Sequence, residues 1–206
     1  MKIKIDQVLS VKEAIESRRS IRRFVQEPIL NEEILHILEL VRLTPSAWNI
    51  QPWRFHVITD HLLKEKLKDA AYGQKQVTSA PVVIFVTSDM ENAIVQLPET
   101  IHPGLTAERK WEELMYLSEL FGKMSIDERG QWGLAQTNIA LGFLLIAIQG
   151  LGYASSPMLG FDENKVREIF SLPEHVKFAA MVAFGRPDSE GYTHHRLVLD
   201  QMVTFC

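Results

Sequence analysis

An α+β domain, with a central mixed sheet of about four or five strands flanked by helices, is the fold class that three observations predict. Residues 81–87, Pro-Val-Val-Ile-Phe-Val-Thr, form a continuous β-branched run of the kind buried on both faces of a sheet. Residues 130–149 carry Leu134, Ala135 and then, from Ile139 to Ile148, apolar side chains interrupted by Gly142 alone, so a helix there has little polar face and must be buried on nearly all sides. The elements run helix, helix, strand, helix, strand, then helices before the remaining strands, which is not the regular alternation of βαβ winding.

At 206 residues and 46% hydrophobic content the chain can build one well-cored domain and is short for two, so 1–206 reads as a single domain. A formal net charge of -4 and a pI of about 6.0 supply no overall field for nucleic acid or an anionic membrane. The lone Cys206 excludes an intramolecular disulfide and points to a reducing compartment. The N-terminal stretch has no uninterrupted apolar core, and the longest later apolar run is broken at Gln149 and Gly150, so neither reads as a signal or a membrane span. A cytoplasmic protein is the expectation.

Ser10 followed by Glu13 is a capping-box pattern, and Val11, Ala14 and Ile15 then share one helical face up to the arginines. Residues 24–30 carry Pro28 and read as extended. Asn31 is expected to cap a second helix, striped by Ile34, Leu35, Leu38 and Val41, which ends ahead of Pro45 because the residue before a proline is pushed out of helical space. Residues 55–59 alternate as a strand, and Asp60 introduces a helix bearing Leu62, Leu63, Leu67, Ala70 and Ala71. After the central strand the pattern weakens over 88–129, around a helix near 108–121, so this segment reads as an excursion or lid. Gly150 and Gly152 end the long helix, a short strand leads to Pro157, Asp162 caps another helix, and 177–185 form a last strand. The tail from 186 shows no periodicity and is long enough to wrap another surface.

Two stretches carry the candidate chemistry. In residues 44–53, TPSAWNIQPW, two prolines forbid a helix and two side-chain amides stand among aromatics. Asn49 and Gln51 each donate and accept, which suits a planar heterocycle, while such amides can also satisfy their own loop backbone. Arg18, Arg19, Ser20 and Arg22 supply guanidinium forks and a hydroxyl suited to phosphate. The competing reading is a solvated basic face at a helix C-terminus, and the interleaved Ile21 and Phe24 argue against it. Gln74 and Gln76 repeat the amide theme. The glycines at 150 and 152 follow a helix rather than a strand, which suits a helix cap and not a dinucleotide fingerprint. No histidine spacing suits a metal and no serine-nucleophile elbow is present, so the residues describe an anion-plus-heterocycle binder whose chemistry belongs to a cofactor.

Taken in order, RRSIRRF at 18–24, TPSAWNIQPWRFHVI at 44–58, QKQVTSAPVVIFV at 74–86, GFD at 160–162 and the tail GRP with Arg196 resemble the nitroreductase family of FMN-dependent oxidoreductases. The resemblance implies a nitroreductase-like fold, an intertwined homodimer and FMN at the subunit interface. Arg18, Arg19, Ser20 and Arg196 would hold its phosphate and ribityl end, and Arg22 would approach the pyrimidine edge. Pro45, Ser46, Ala47, Asn49 and Gln51 would reach FMN held mainly by the other subunit. Gln76 would lie along the pyrimidine side, and Pro157, Met158, Leu159 and Gly160 would cover a ring face. It further implies NAD(P)H as donor, hydride passage through flavin N5, and a nitroaromatic or quinone as small-molecule acceptor in a ping-pong sequence. Two departures stand out: His194 and His195 precede the tail arginine where members often carry a base, and Leu159 stands where others are acidic. A non-catalytic flavin sensor, and relatives that perform dehalogenation or flavin fragmentation, are the alternative readings.

Overall fold

In the computed structural model, which describes residues 8–206, four strands form one sheet: β1 (Trp53–Ile58), β2 (Val82–Ser88), β3 (Ala154–Met158) and β4 (Lys177–Gly185), in the order β1-β2-β4-β3. The three strand pairings are antiparallel, and the mixed character expected of the sheet comes down to one parallel bridge, Ser20 with Ser155 on the β3 edge. As its sequence predicts, β2 is an inner strand buried at every position. Alternation along it feeds both faces. Val83 and Phe85 point one way, toward Leu67 of α3 (His61–Ala70), Val77 of α4 (Gln76–Ser79) and Val166 of α9 (Glu163–Phe170). Val82, Ile84 and Val86 point the other way, toward Ile34, Ile37 and Val41 of α2 (Asn31–Val41) and Ala140, Leu144 and Ile148 of α8 (Ile126–Gly150).

The segment after β2 is packed in its own right. Helices α5 (Met90–Val95), α6 (Leu97–Thr100) and α7 (Ala107–Gly122) enclose Met90, Leu97, Leu117 and Phe121, with Trp132 from α8 alongside. Arg129 locks this cluster, with Nε and Nη2 on the two carboxylate oxygens of Glu91 at 2.7 and 2.8 Å. Its Nη1 donates to the carbonyls of Phe121 and Met124, which ties the start of α8 to the end of α7.

Local signals hold at most helix ends. Ser10 and Glu13 form the expected capping box of α1 (Val11–Ser17), and Asp60 and Asp162 cap their helices. At the end of α8, Gly152 at φ 82° lets its N–H reach Gln149 O and the Tyr153 N–H reach Ile148 O, the double bond of a Schellman turn. Asn31, however, is the first helical residue: the cap is Leu30, whose N–H donates to the Glu33 carboxylate at 3.2 Å. In α2, Ile37 is buried where Leu35 was expected, and in α3 Leu62 faces solvent while Lys64 goes inside. The Lys64 ammonium finds the carbonyls of Ala80 and Pro81 at 2.8 and 3.3 Å, and burial pushes its pKa down.

The largest departure concerns α8. It buries a single stripe, Gly133, Thr137, Ala140, Leu144 and Ile148, because a sheet can cover only one side of a helix. Ile139 and Phe143 on the far side are exposed and, with Val11, Ile15 and Leu40, line an apolar groove of about 710 Å³. The helix is long and apolar enough to cross a membrane by length and composition, yet its buried stripe lies on the sheet. The N-terminal expectation rests partly on residues 1–7, which lie outside the described residues.

His56 on β1 sits against the Phe170 ring with Nε2 3.0 Å from the Thr87 hydroxyl, and burial pushes its pKa below the ordinary value near 6.5. The unfolded chain therefore takes up this proton before the folded one does. The contribution of neutral His56 is intact above about pH 6.5 and is lost as pH falls through the lowered folded value. Urea unfolding at pH 7.5 and 5.5 is expected to show a lower midpoint at 5.5, with a smaller difference in His56→Gln.

Candidate functional site

The N-terminal arginines are placed by the end of α1. Its last turn leaves carbonyls without helical partners, and Arg19 Nη1 donates to two of them, Glu16 O at 2.7 Å and Arg18 O at 2.9 Å. Ser20 then bridges to Ser155, with the Ile21 N–H on Ser155 O at 3.0 Å. Ile21 and Phe24 insert into the core, which turns the arginines between them outward. The tail returns across this corner. His194 Nε2 lies 2.8 Å from Arg18 O and 2.9 Å from Arg19 Nη1, and Gly191 passes so close to Arg19 that a Cβ there would sit 2.5 Å from the Arg19 Cβ.

This corner is short of negative charge. The Arg18 guanidinium is pushed below its usual pKa by burial first, then by the nearby positive charges of Arg196 and Arg19. Its Nη1 is buried with no hydrogen-bond partner among the described residues, and so is the Ser155 hydroxyl. Unpaired buried donors beside converging cations are costly in an isolated chain and suited to an anion. Arg22 is exposed, its carbonyl accepting from the Ser79 hydroxyl, and the exposed Arg196 bonds His195 O.

A second group of polar atoms lies along the same edge. Gln76, which is buried, donates to Gln74 Oε1 at 2.9 Å and to Met158 Sδ at 3.1 Å, and Gln74 donates to Gly160 O at 2.6 Å. These bonds sew the turn before α4 to the end of β3, where Pro157 is half-buried and Leu159 and Gly160 are exposed. Ser155 and Met158 are three residues apart on β3, so about 10 Å of strand separates the arginine corner from the amide group.

Residues 45–51 lie elsewhere. After exposed Pro45 the chain makes a 3-10 turn, Ala47–Asn49, and Trp48, Asn49 and Gln51 take φ of 49°, 54° and 49°. Left-handed backbone costs about 1–3 kcal/mol at each non-glycine position and persists only where surroundings impose it. Here Ser46 Oγ accepts the Gln51 N–H at 3.1 Å, and Gln51 Nε2 donates to Asn49 Oδ1 at 2.9 Å. Asn49 Nδ2 reaches Thr100 O at 2.8 Å, and the Ala47 N–H reaches Gln136 Oε1 at 3.0 Å. No hydrogen bond, ion pair or ring contact among the described residues joins this loop to Arg18, Gln76 or Met158 of the same chain.

Sequence reasoning missed two participants and the contacts of two more. Ser155 and Gln136 lack any local pattern, and His194 acts as a tether for Arg18 and Arg19 across 176 and 175 positions. Gln74 was visible as an amide, but its bond to Gly160 was not.

A corner of converging arginines and a rim of side-chain amides thus lie along one edge of an α+β sheet. The chain belongs to the nitroreductase family, whose model matches residues 15–186. It is 43% identical over 196 residues to a Thermus thermophilus protein named NADH dehydrogenase, covering 95% of this chain and 96% of that one. Bacillus subtilis YdgI, which carries an NAD(P)H nitroreductase name, is 32% identical over 200 residues, 93% of this chain and 95% of the relative. A nitroreductase-named protein of Exiguobacterium sibiricum, solved in complex with FMN, superposes with a TM-score of 0.88 at 25% identity, covering 97% of this chain and 99% of the other.

The unpaired Arg18 makes a direct expectation. Inorganic phosphate, at matched ionic strength against chloride, should raise the wild-type melting temperature by several degrees. Arg18→Met should melt no lower than wild type without phosphate and should lose most of the phosphate-dependent rise.

Proposed function

We propose that the chain is an FMN-dependent oxidoreductase that passes hydride from NAD(P)H to a nitroaromatic or quinone acceptor and works as a homodimer. The observation that carries this reading is the arginine corner: a buried Arg18 guanidinium nitrogen without a partner among the described residues, flanked by two further arginines and two serines, in a chain of this family. Those donors fit a phosphomonoester, and the amide rim one strand-length away fits a hydrogen-bonding heterocycle. When bound, FMN would supply the redox chemistry, hydride exchange between NAD(P)H and the acceptor, with the arginine corner and the amide rim holding it in place.

In this reading Arg18, Arg19, Ser20 and Arg196 bind the phosphate, with His194 fixing Arg19 rather than replacing a basic contact. Arg22 lends positive charge to the pyrimidine edge, where negative charge accumulates on reduction. Gln76 orients the heterocycle, while Pro157, Met158, Leu159 and Gly160 shield one ring face from water. Pro45, Ser46, Ala47, Asn49 and Gln51 complete the site from a second copy. Supporting that crossing are the lack of contact between this loop and the arginine corner in one chain, and the apolar groove beside Ile139 and Phe143. The tail adds exposed Leu197, Leu199, Met202 and Phe205, apolar surface suited to a partner. No side chain is required to hold or move a proton.

The purified protein should carry flavin absorbance near 450 nm that bleaches on anaerobic addition of NAD(P)H and returns with a quinone or nitroaromatic. FMN should bind about a hundredfold or more tighter than riboflavin, the worth of a few charge-assisted hydrogen bonds. Flavin bound but not reduced would favour the sensor reading, and absence of flavin binding would overturn the proposal.

A further inference from the structure

The loop 46–51 holds unfavourable backbone at three positions, and what imposes it lies outside the loop. Ile50 is buried in the cluster formed by α5, α6 and α7. The Trp48 ring stacks on Trp132, with centroids 6.2 Å apart and planes 25° apart, and tilts against Tyr116 at 6.0 Å. Arg54 grips the exit, its Nη1 on Gln51 O at 3.1 Å and its Nη2 on the side-chain oxygens of Asn92 and Gln96. At the entry Gln136, one turn after Trp132 on the same face of α8, accepts the Ala47 N–H at 3.0 Å. This is the one side-chain hydrogen bond from outside the loop to its backbone ahead of Trp48 among the described residues.

From this clamp we infer that Gln136 is a positioning residue for the cofactor: it fixes the backbone at Ala47, and so the left-handed turn that aims the amides of Asn49 and Gln51. The inference rests on the FMN reading above, and it extends it to a helix residue that itself touches neither the arginine corner nor the amide rim. The surrounding excursion thereby acts on flavin binding as well as on access. Loss of the Gln136 acceptor frees the Ala47 N–H and lets the turn relax toward ordinary backbone, so the amides lose their aim while the core under them stays packed.

The test is FMN binding to the apo homodimer, followed by quenching of flavin fluorescence, in a double-mutant cycle. Gln136→Met keeps side-chain length and removes the amide oxygen. It is expected to weaken FMN binding by about tenfold, in the range of one hydrogen bond, and to speed FMN dissociation, with the melting temperature within a few degrees of wild type. In an Asn49→Ala/Gln51→Ala background, the same substitution is expected to cost less than twofold more, because Gln136 acts only through those amides. A merely structural role would give the same loss in both backgrounds. Wild-type-like binding by Gln136→Met, or additive losses, overturns the inference and leaves the FMN reading standing. Failure of the wild-type protein to bind FMN overturns that reading, and this inference with it.

Discussion

Left-handed backbone at Trp48, Asn49 and Gln51 is the constraint on which the rest of the site depends. Asparagine tolerates that region, but tryptophan and glutamine do not adopt it without imposed contacts. The contacts come from four helices and a strand: Ile50 is sunk among α5, α6 and α7, Trp48 lies on Trp132 of α8, and Arg54 of β1 holds the Gln51 carbonyl. Helices of the 88–129 segment thus pack against the loop, and Arg129 on Glu91 ties that segment to α8. Ordered amides lose less freedom when a ligand arrives than a floppy loop would, which is the physical gain of the strain.

The opposite end of the site is governed by charge. Three arginines converge where burial has already lowered the pKa of Arg18, and among the described residues no carboxylate pairs with it. Such a corner is destabilising by itself and becomes favourable when an anion arrives. The β3 edge carries this corner at one end and the Gln74–Gln76–Met158 group at the other, and among the described residues the strained loop makes no hydrogen bond to either. The apolar α8 face beside Ile139 and Phe143 is left open in the single chain.

Much of this was legible in residue order. The run at β2 is apolar on both faces because helices cover both, and the Ser10–Glu13, Asp60 and Asp162 caps announce themselves by spacing alone. The Arg18–Ser20 and Asn49–Gln51 pairs were recognisable because their side-chain chemistry serves no obvious packing purpose. What stayed hidden was of two kinds. Gln136 meets Ala47 across 89 positions and His194 meets Arg18 across 176, and pairings at that separation leave no local mark. The α8 sequence is apolar nearly all round, which states that something covers it without stating whether that is this chain or another. Leu62 was expected in the core of α3, and Lys64 takes an inward position there instead, its stem packed and its ammonium received by two carbonyls.

The central claim, that one site is assembled from two chains, is tested most directly by subunit complementation. One chain carries Arg18→Ala, the other carries Asn49→Ala with Gln51→Ala, and differently tagged heterodimers are purified and titrated with FMN. A crossing site leaves one interface with an intact arginine corner and an intact loop, so the heterodimer should bind one FMN per dimer with wild-type affinity while both mutant homodimers bind weakly. A heterodimer in which both sites are as weak as those of its parents would contradict the account.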